Sequence, residues 1–274
     1  MRAHGSYLRN VRPPLGARQP HGTALCTLCG TPTSGHALCY PCRAQDEQAS
    51  QVGLPLADRV GFVTYAVEGV FPVGVGAAPS EAHRAAGRQA YAILKGYKTA
   101  RRGRDVGSGS PYWLPMAALV RWALLRHGPC AHVLSGMDAP LLWATVPSSR
   151  SSRAGEHPLH ALVSAVWGSR CRETGLAFAE GSPVPRTDLS ANSYQAEPIA
   201  PGSHVLLVDD SWVTGASTQS AAVALRRAGA AQVSAFVMGR VLRADWPPTC
   251  DFIRGGGLDF VYRADLCPWT GQSC

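Results

Sequence analysis

Residues 204–229, HVLLVDDSWVTGASTQSAAVALRRAG, constrain the fold more than any other stretch. Val205, Leu206, Leu207 and Val208 form a short apolar run, β-branched at both ends, and this predicts a buried parallel strand. Asp209 and Asp210 close the run, and a loop of small and hydroxyl residues follows: Thr214, Gly215, Ala216, Ser217 and Thr218. Ala222, Val223 and Leu225 then fall at helical spacing, and Gly229 after Arg226 and Arg227 predicts a helix stop. In open α/β sheets, ligands bind at the carboxyl ends of strands, where this loop falls. Loop N–H groups and a helix N-terminus favour an anion, and Gly215 lets the backbone approach it closely. Thr214, Ser217 and Thr218 add hydroxyl donors. The carboxylates beside the loop disfavour a second anion. They accept hydrogen bonds from sugar hydroxyls or help to hold a hydrated divalent cation. A ribose 5-phosphate group satisfies both halves. The plainer alternative is a strand ending in two acids before an ordinary capped helix.

Asp209, Asp210, Thr214, Gly215 and Ser217 match, position by position, the PRPP-binding signature of type I phosphoribosyltransferases. Val213 departs from it, since many members carry a second Thr there. The resemblance implies an α/β, type I phosphoribosyltransferase fold, a parallel sheet flanked by helices. It implies PRPP as ligand, with Mg²⁺. Residues Thr214, Gly215, Ala216, Ser217 and Thr218 would hold the 5-phosphate. Asp209 and Asp210 would be the catalytic acids on the ribose hydroxyls, directly or through Mg²⁺. In that fold a loop after an early strand binds pyrophosphate. Leu141 to Val146 predicts such a strand, ended by Pro147, and Ser148, Ser149 and Arg150 supply hydroxyls and a guanidinium fork. A simple strand-to-helix turn with a surface arginine fits the same three residues.

Nine cysteines are present, four of them clustered as Cys26, Cys29, Cys39 and Cys42 in LCTLCGTPTSGHALCYPCR. Each C-x-x-C places two thiolates on one turn, and two such turns complete a tetrahedral sulfur site. This predicts a structural Zn²⁺ in a ribbon-like module over 25–43. A redox dithiol pair, or iron in place of zinc, fits the same spacing. Four sulfurs leave no open position, so such a metal is structural, and so small a module has too little core without it.

Residues 1–24, basic and Pro-rich, read as a disordered leader, and 44–59 as a polar linker. A phosphoribosyltransferase-like domain is expected over 60–240. Within it, strands are predicted at 62–67 and 232–239 and helices at 81–94, 112–126 and 160–172, with a loop over 181–201. Arg186 and Gln195 in that loop are expected to contribute to a lid. A terminal tail or hairpin is expected over 241–274, with a strand at 258–262. No apolar run approaches the ~18 residues of a membrane span, and the N-terminus lacks an apolar signal core. A cytoplasmic protein with no membrane insertion is expected. The formal net charge is +8. It favours phosphate-bearing partners, whether PRPP or nucleic acid. The densest basic cluster is Lys95, Lys98, Arg101, Arg102 and Arg104.

A four-cysteine module, a Val-Pro strand with an Arg-bearing loop and the acidic PRPP loop occur here in that order. The combination resembles the ComF family, zinc-finger phosphoribosyltransferase-like proteins associated with DNA uptake in competent bacteria. Leu94-Lys95 echoes a further family motif. The resemblance implies transfer of a phosphoribosyl group from PRPP with release of pyrophosphate. The alternative it raises is a non-catalytic PRPP or nucleotide sensor, or a module binding single-stranded DNA or DNA-uptake proteins. One departure bears on activity. Where members carry Arg-Gly-aromatic-Asn-Gln, this chain has Ala154-Gly155-Glu156-His157-Pro158, matching only at Gly155.

Overall fold

The computed structural model describes residues 23–69, 81–98, 109–148, 157–258 and 265–273. In chain order the elements are β1 (Ala24–Leu25), β2 (Pro32–Thr33), α1 (Tyr40–Val52), β3 (Arg59–Glu68), α2 (Glu81–Gly96) and α3 (Trp113–Ser135). Then come β4 (Leu141–Thr145), α4 (Pro158–Trp167), β5 (Arg172–Glu173), β6 (Leu176–Phe178) and β7 (Tyr194–Ala196). The chain closes with β8 (His204–Trp212), α5 (Ala216–Arg227), β9 (Gln232–Arg243) and α6 (Pro247–Arg254).

A five-stranded sheet has the order β3-β9-β8-β4-β5. β4 runs parallel to both neighbours, with Thr145 opposite Val208 and Leu142 opposite Arg172. β3 and β9 also run the same way. Asp58 N–H donates to the Val233 carbonyl near their start, and Ala244 N–H to the Glu68 carbonyl near their end. Val205 to Val208 are fully buried, as strands covered on both faces require. The order places a switch of direction at β4. The chain leaves β4 through α4 towards β5, later returns to β8 on the other side, and continues through α5 to β9. In open α/β sheets such a switch point is where ligands bind, outside the carboxyl ends of the two strands, here β4 and β8.

The chain divides into two compact units, Met1–Cys39 with Phe62–Val120 and Met238–Cys274, and Tyr40–Gly61 with Arg121–Val237. The core of the second unit packs Leu142, Ala144, Val205, Leu207, Val233 and Ala235 from the sheet against Ala221, Ala222 and Leu225 of α5. Gly229 ends α5 with φ 116, and a Cβ there would sit 2.5 Å from the Ile199 carbonyl oxygen. The core of the first unit joins Tyr65, Val67 and Leu242 to Phe252 and Ile253 of α6, with Tyr65 and Phe252 edge to face at 5.6 Å.

Several sequence expectations are corrected. Most of the expected linker at 44–59 is helix α1. Its buried face is Cys42, Gln45 and Ala49, so a buried glutamine and a cysteine replace the apolar period that would reveal a helix. α3 continues to Ser135, past the expected stop near Arg126, although Pro129 lies inside it. Burial of His127 and Ala131 on its inner side outweighs the proline's missing N–H. The expected loop over 181–201 contains β7, paired antiparallel with β6. Residues 247–254 form α6 where a tail was expected, started by prolines at its first positions. Of the strand expected at 258–262, only Leu258 is described, and it lies in a turn. Residues 1–22 and Arg101, Arg102 and Arg104 lie outside the described residues. Among the described residues no helix is long and apolar enough to cross a membrane.

Candidate functional site

β8 extends through the acid pair to Trp212, so the acids lie inside the strand rather than after it. Successive residues of a strand face opposite ways. Val205, Leu207 and Asp209 therefore face α5, and Asp210 falls with Leu206 and Val208. Asp209 is 7% exposed and Asp210 3%. A bare carboxylate at such depth is costly unless hydrogen-bonded. Asp209 Oδ1 accepts the Asp210 N–H at 2.8 Å, and Oδ2 accepts the Thr218 hydroxyl at 2.5 Å. Asp210 Oδ1 accepts the Ser211 hydroxyl at 2.8 Å. Asp209 thus ties the end of β8 to the first turn of α5.

Gly215 is the N-cap of α5 with φ 89 and ψ −6, a left-handed backbone, and no side chain caps the helix there. A Cβ on Gly215 would lie 2.1 Å from Trp212 Cζ2, and Trp212 is fully buried. Bulky Trp212 thus folds under the loop, and only glycine leaves room for it. A helix N-terminus favours an anion in general; here the Ala216 N–H donates to Thr214 Oγ1 at 3.4 Å.

The loop hydroxyls are engaged within the protein. Thr214 Oγ1 donates to the Arg186 carbonyl, Ser217 Oγ to the Pro185 carbonyl at 3.4 Å, and Thr218 Oγ1 to Asp209. Tyr194 is buried beside them. Burial pushes its phenol up to about 12, Asp209 adds to the shift, and a hydrogen bond with Ser217 opposes it. Gln45 of α1, fully buried, donates through Nε2 to the Thr187 carbonyl at 2.8 Å and to the Thr214 carbonyl at 3.2 Å.

On β4, Val146 N–H donates to the Val208 carbonyl at 3.0 Å. This register brings Pro147 and Ser148 alongside the acid pair at the carboxyl edge. Ser149 and Arg150 lie outside the described residues, as do Ala154, Gly155 and Glu156. His157 caps α4, its Nδ1 accepting from Leu159 N–H at 3.3 Å, with Pro158 at the first helical position. Of the two residues expected in a lid, Arg186 meets the loop through its carbonyl, and Gln195 is exposed on β7.

Cys26, Cys29, Cys39 and Cys42 are all buried, with their sulfurs within 4.8 Å of one another. The first turn is tight. Gly30 N–H donates to the Cys26 carbonyl at 2.9 Å, and Cys26 N–H to the Thr31 carbonyl at 2.8 Å. Cys42 lies in the first turn of α1. Four converging thiols fit a tetrahedral Zn²⁺ in a closed, structural site. Four thiolates around Zn²⁺ leave a net charge of about −2, and a buried cation stands beside them. Arg240, 4% exposed, donates through Nε to the Cys29 carbonyl at 3.1 Å. Tyr65 donates to the Gly30 carbonyl at 2.7 Å, and burial drives its phenol well above its ordinary value, with Cys29 and Cys26 adding to the shift and Arg240 opposing it.

Sequence reasoning missed Gln45, Tyr194, Tyr65 and Arg240. Gln45 stands in a polar run and Tyr194 in a Ser- and Pro-rich one, and neither carries a local signal. No family model matches the chain, and no curated protein matches it.

Proposed function

We propose that the chain is a PRPP-binding, phosphoribosyltransferase-like protein of the ComF type, with a structural Zn²⁺ in the four-cysteine cluster. The observation that carries this reading is the switch of strand order at β4 and β8. The carboxyl edge at that point carries the acid loop after β8 and Ser148 after β4. The N-terminus of α5 and the N–H groups from Gly215 to Thr218 receive the 5-phosphate. Asp210 meets the ribose diol, directly or through the Mg²⁺ that accompanies PRPP, and Asp209 on the opposite face of β8 reaches it only by giving up one of its present partners. Asp209 has a second role, holding Thr218 and hence the loop. Ser148, Ser149 and Arg150 take the pyrophosphate, which leaves from C1 through an oxocarbenium-like state. The test is isothermal titration with PRPP and Mg²⁺, repeated on Asp209→Ala with Asp210→Ala. Micromolar binding by the wild type and its loss in the double variant are expected. No heat from the wild type refutes the reading.

A second reading, a PRPP or nucleotide sensor without turnover, is favoured by one observation: Thr214, Ser217 and Thr218 all donate to acceptors within the protein. Binding of PRPP without pyrophosphate release across a panel of nucleobases selects the sensor. Release selects the enzyme.

A further inference from the structure

Residues 185–190 lie in the long connection between β6 and β7. Every one of them is hydrogen-bonded by the acid loop, α1 or α5. The Pro185 and Arg186 carbonyls accept the Ser217 and Thr214 hydroxyls. The Thr187 carbonyl accepts from Gln45 Nε2 at 2.8 Å. Asp188 Oδ1 accepts from Gln48 Nε2 at 3.1 Å, and Leu189 N–H donates to Gln48 Oε1 at 2.7 Å. Ser190 N–H donates to Ser220 Oγ of α5 at 2.9 Å. The base of the connection is closed by Ser193 Oγ, which donates to the Pro183 carbonyl at 2.5 Å. Gln45 reaches further, because the same Nε2 also bonds the Thr214 carbonyl and so joins this segment to the loop backbone.

A hydroxyl has one proton to donate. While Thr214 donates to the Arg186 carbonyl it cannot donate to a phosphate, and the single Ser217 proton is shared between the Pro185 carbonyl and Tyr194; the two carbonyl oxygens also present partial negative charge to an incoming anion. We propose that residues 185–190 are a strap, held over the loop by Gln45 and Gln48, that competes with the bound anion for the Thr214 and Ser217 hydroxyls. Binding of the anion displaces the strap, so residues of α1 that never touch the ligand set its affinity. The ligand half of this inference rests on the phosphate reading of the loop, and the strap itself does not.

The test uses the full chain and its Gln48→Ala variant. Gln48 is only half-buried, so the variant keeps the core intact. Without ligand, the Ser190 amide, which does not bond Gln48, exchanges about tenfold faster in Gln48→Ala than in the wild type. Thr214→Val, which removes the other tether, has the same effect. Unchanged Ser190 exchange in both variants overturns the strap. With PRPP and Mg²⁺, Gln48→Ala binds about three- to tenfold more tightly than the wild type, and in the wild type the ligand accelerates Ser190 exchange. Equal or weaker binding by Gln48→Ala, or slower Ser190 exchange on binding, overturns the competition. If neither protein binds PRPP, the ligand reading and the competition both fail, and the exchange comparison still decides the strap.

Discussion

Gly215→Ala separates two reasons for a glycine in the loop. The first is backbone strain, since an alanine at φ 89 occupies the left-handed region at about 1–2 kcal/mol. The second is contact. The new methyl carbon would lie 2.1, 2.3 and 2.8 Å from Trp212 Cζ2, Cε2 and Cη2, and that ring is fully buried with nowhere to retreat. Forcing a buried aromatic aside costs about 1–3 kcal/mol. Together they remove about 2–5 kcal/mol, a large part of the stability of an ordinary domain. Gly202 supplies the control. Its φ is 86, and nothing lies within 4 Å of its would-be Cβ, so Gly202→Ala carries the backbone strain alone. Urea unfolding of both variants, analysed at a common slope, measures the difference. The expected result is that Gly215→Ala loses about 1–3 kcal/mol more than Gly202→Ala. Equal losses refute the claim that Trp212 fixes the loop from beneath.

Two further outcomes follow from a buried cation and a buried neutral histidine. The purified chain carries about one Zn²⁺, and Arg240→Met, which removes the cation behind the Cys29 carbonyl, weakens zinc binding about ten- to hundredfold in a chelator competition. An unchanged affinity excludes Arg240 from the metal's surroundings. His204 is fully buried at the start of β8, its Nδ1 3.2 Å from His132 Nδ1 and its Nε2 2.9 Å from Ser234 Oγ. Burial first and His132 second lower its pKa from 6.5 to about 4; Arg59 and Arg226 act the same way and Asp58 against them. The unfolded chain therefore takes up a proton between pH 6.5 and about 4 that the folded chain refuses. Stability from this group is full above pH 6.5 and falls through that window as pH drops. Urea midpoints across pH 4–7 fall more steeply for the wild type than for His204→Gln, and parallel curves refute the assignment.

The central strand, its loop and the following helix were legible because their signals are local: an uninterrupted apolar run, two acids, a glycine before a helix. The four cysteines were legible for the same reason, since their spacing alone closes a turn. What the sequence concealed was helix α1. Its core face offers Cys42, Gln45 and Ala49, and a buried glutamine looks like solvent-facing polarity until its partners are seen. β6 and β7 were concealed too, being three residues each and separated by a connection rich in Ser and Pro.

The same limit governs the site. Residue types named the atoms able to meet a phosphate and a sugar, but they do not say what those atoms touch when no ligand is bound. The acceptors of Thr214 and Ser217 are main-chain carbonyls from residues 185 and 186, about thirty positions earlier in the chain. Every residue has a carbonyl, so no pattern of side chains could have marked them. Asp209 shows the converse. Its type suggested a ligand for a sugar, whereas the alternation of β8 turns it towards α5, where it holds Thr218 and the Asp210 amide. A substitution at Asp209 therefore acts on the loop as well as on any bound sugar, and the two effects separate by stability. Asp209→Asn keeps an acceptor for Thr218, and Asp209→Ala leaves that buried hydroxyl without one, at about 1–3 kcal/mol. Equal stability of the two variants in urea would mean that Asp209 does not organise the loop. Its burial beside α5 would then be left to the ligand alone.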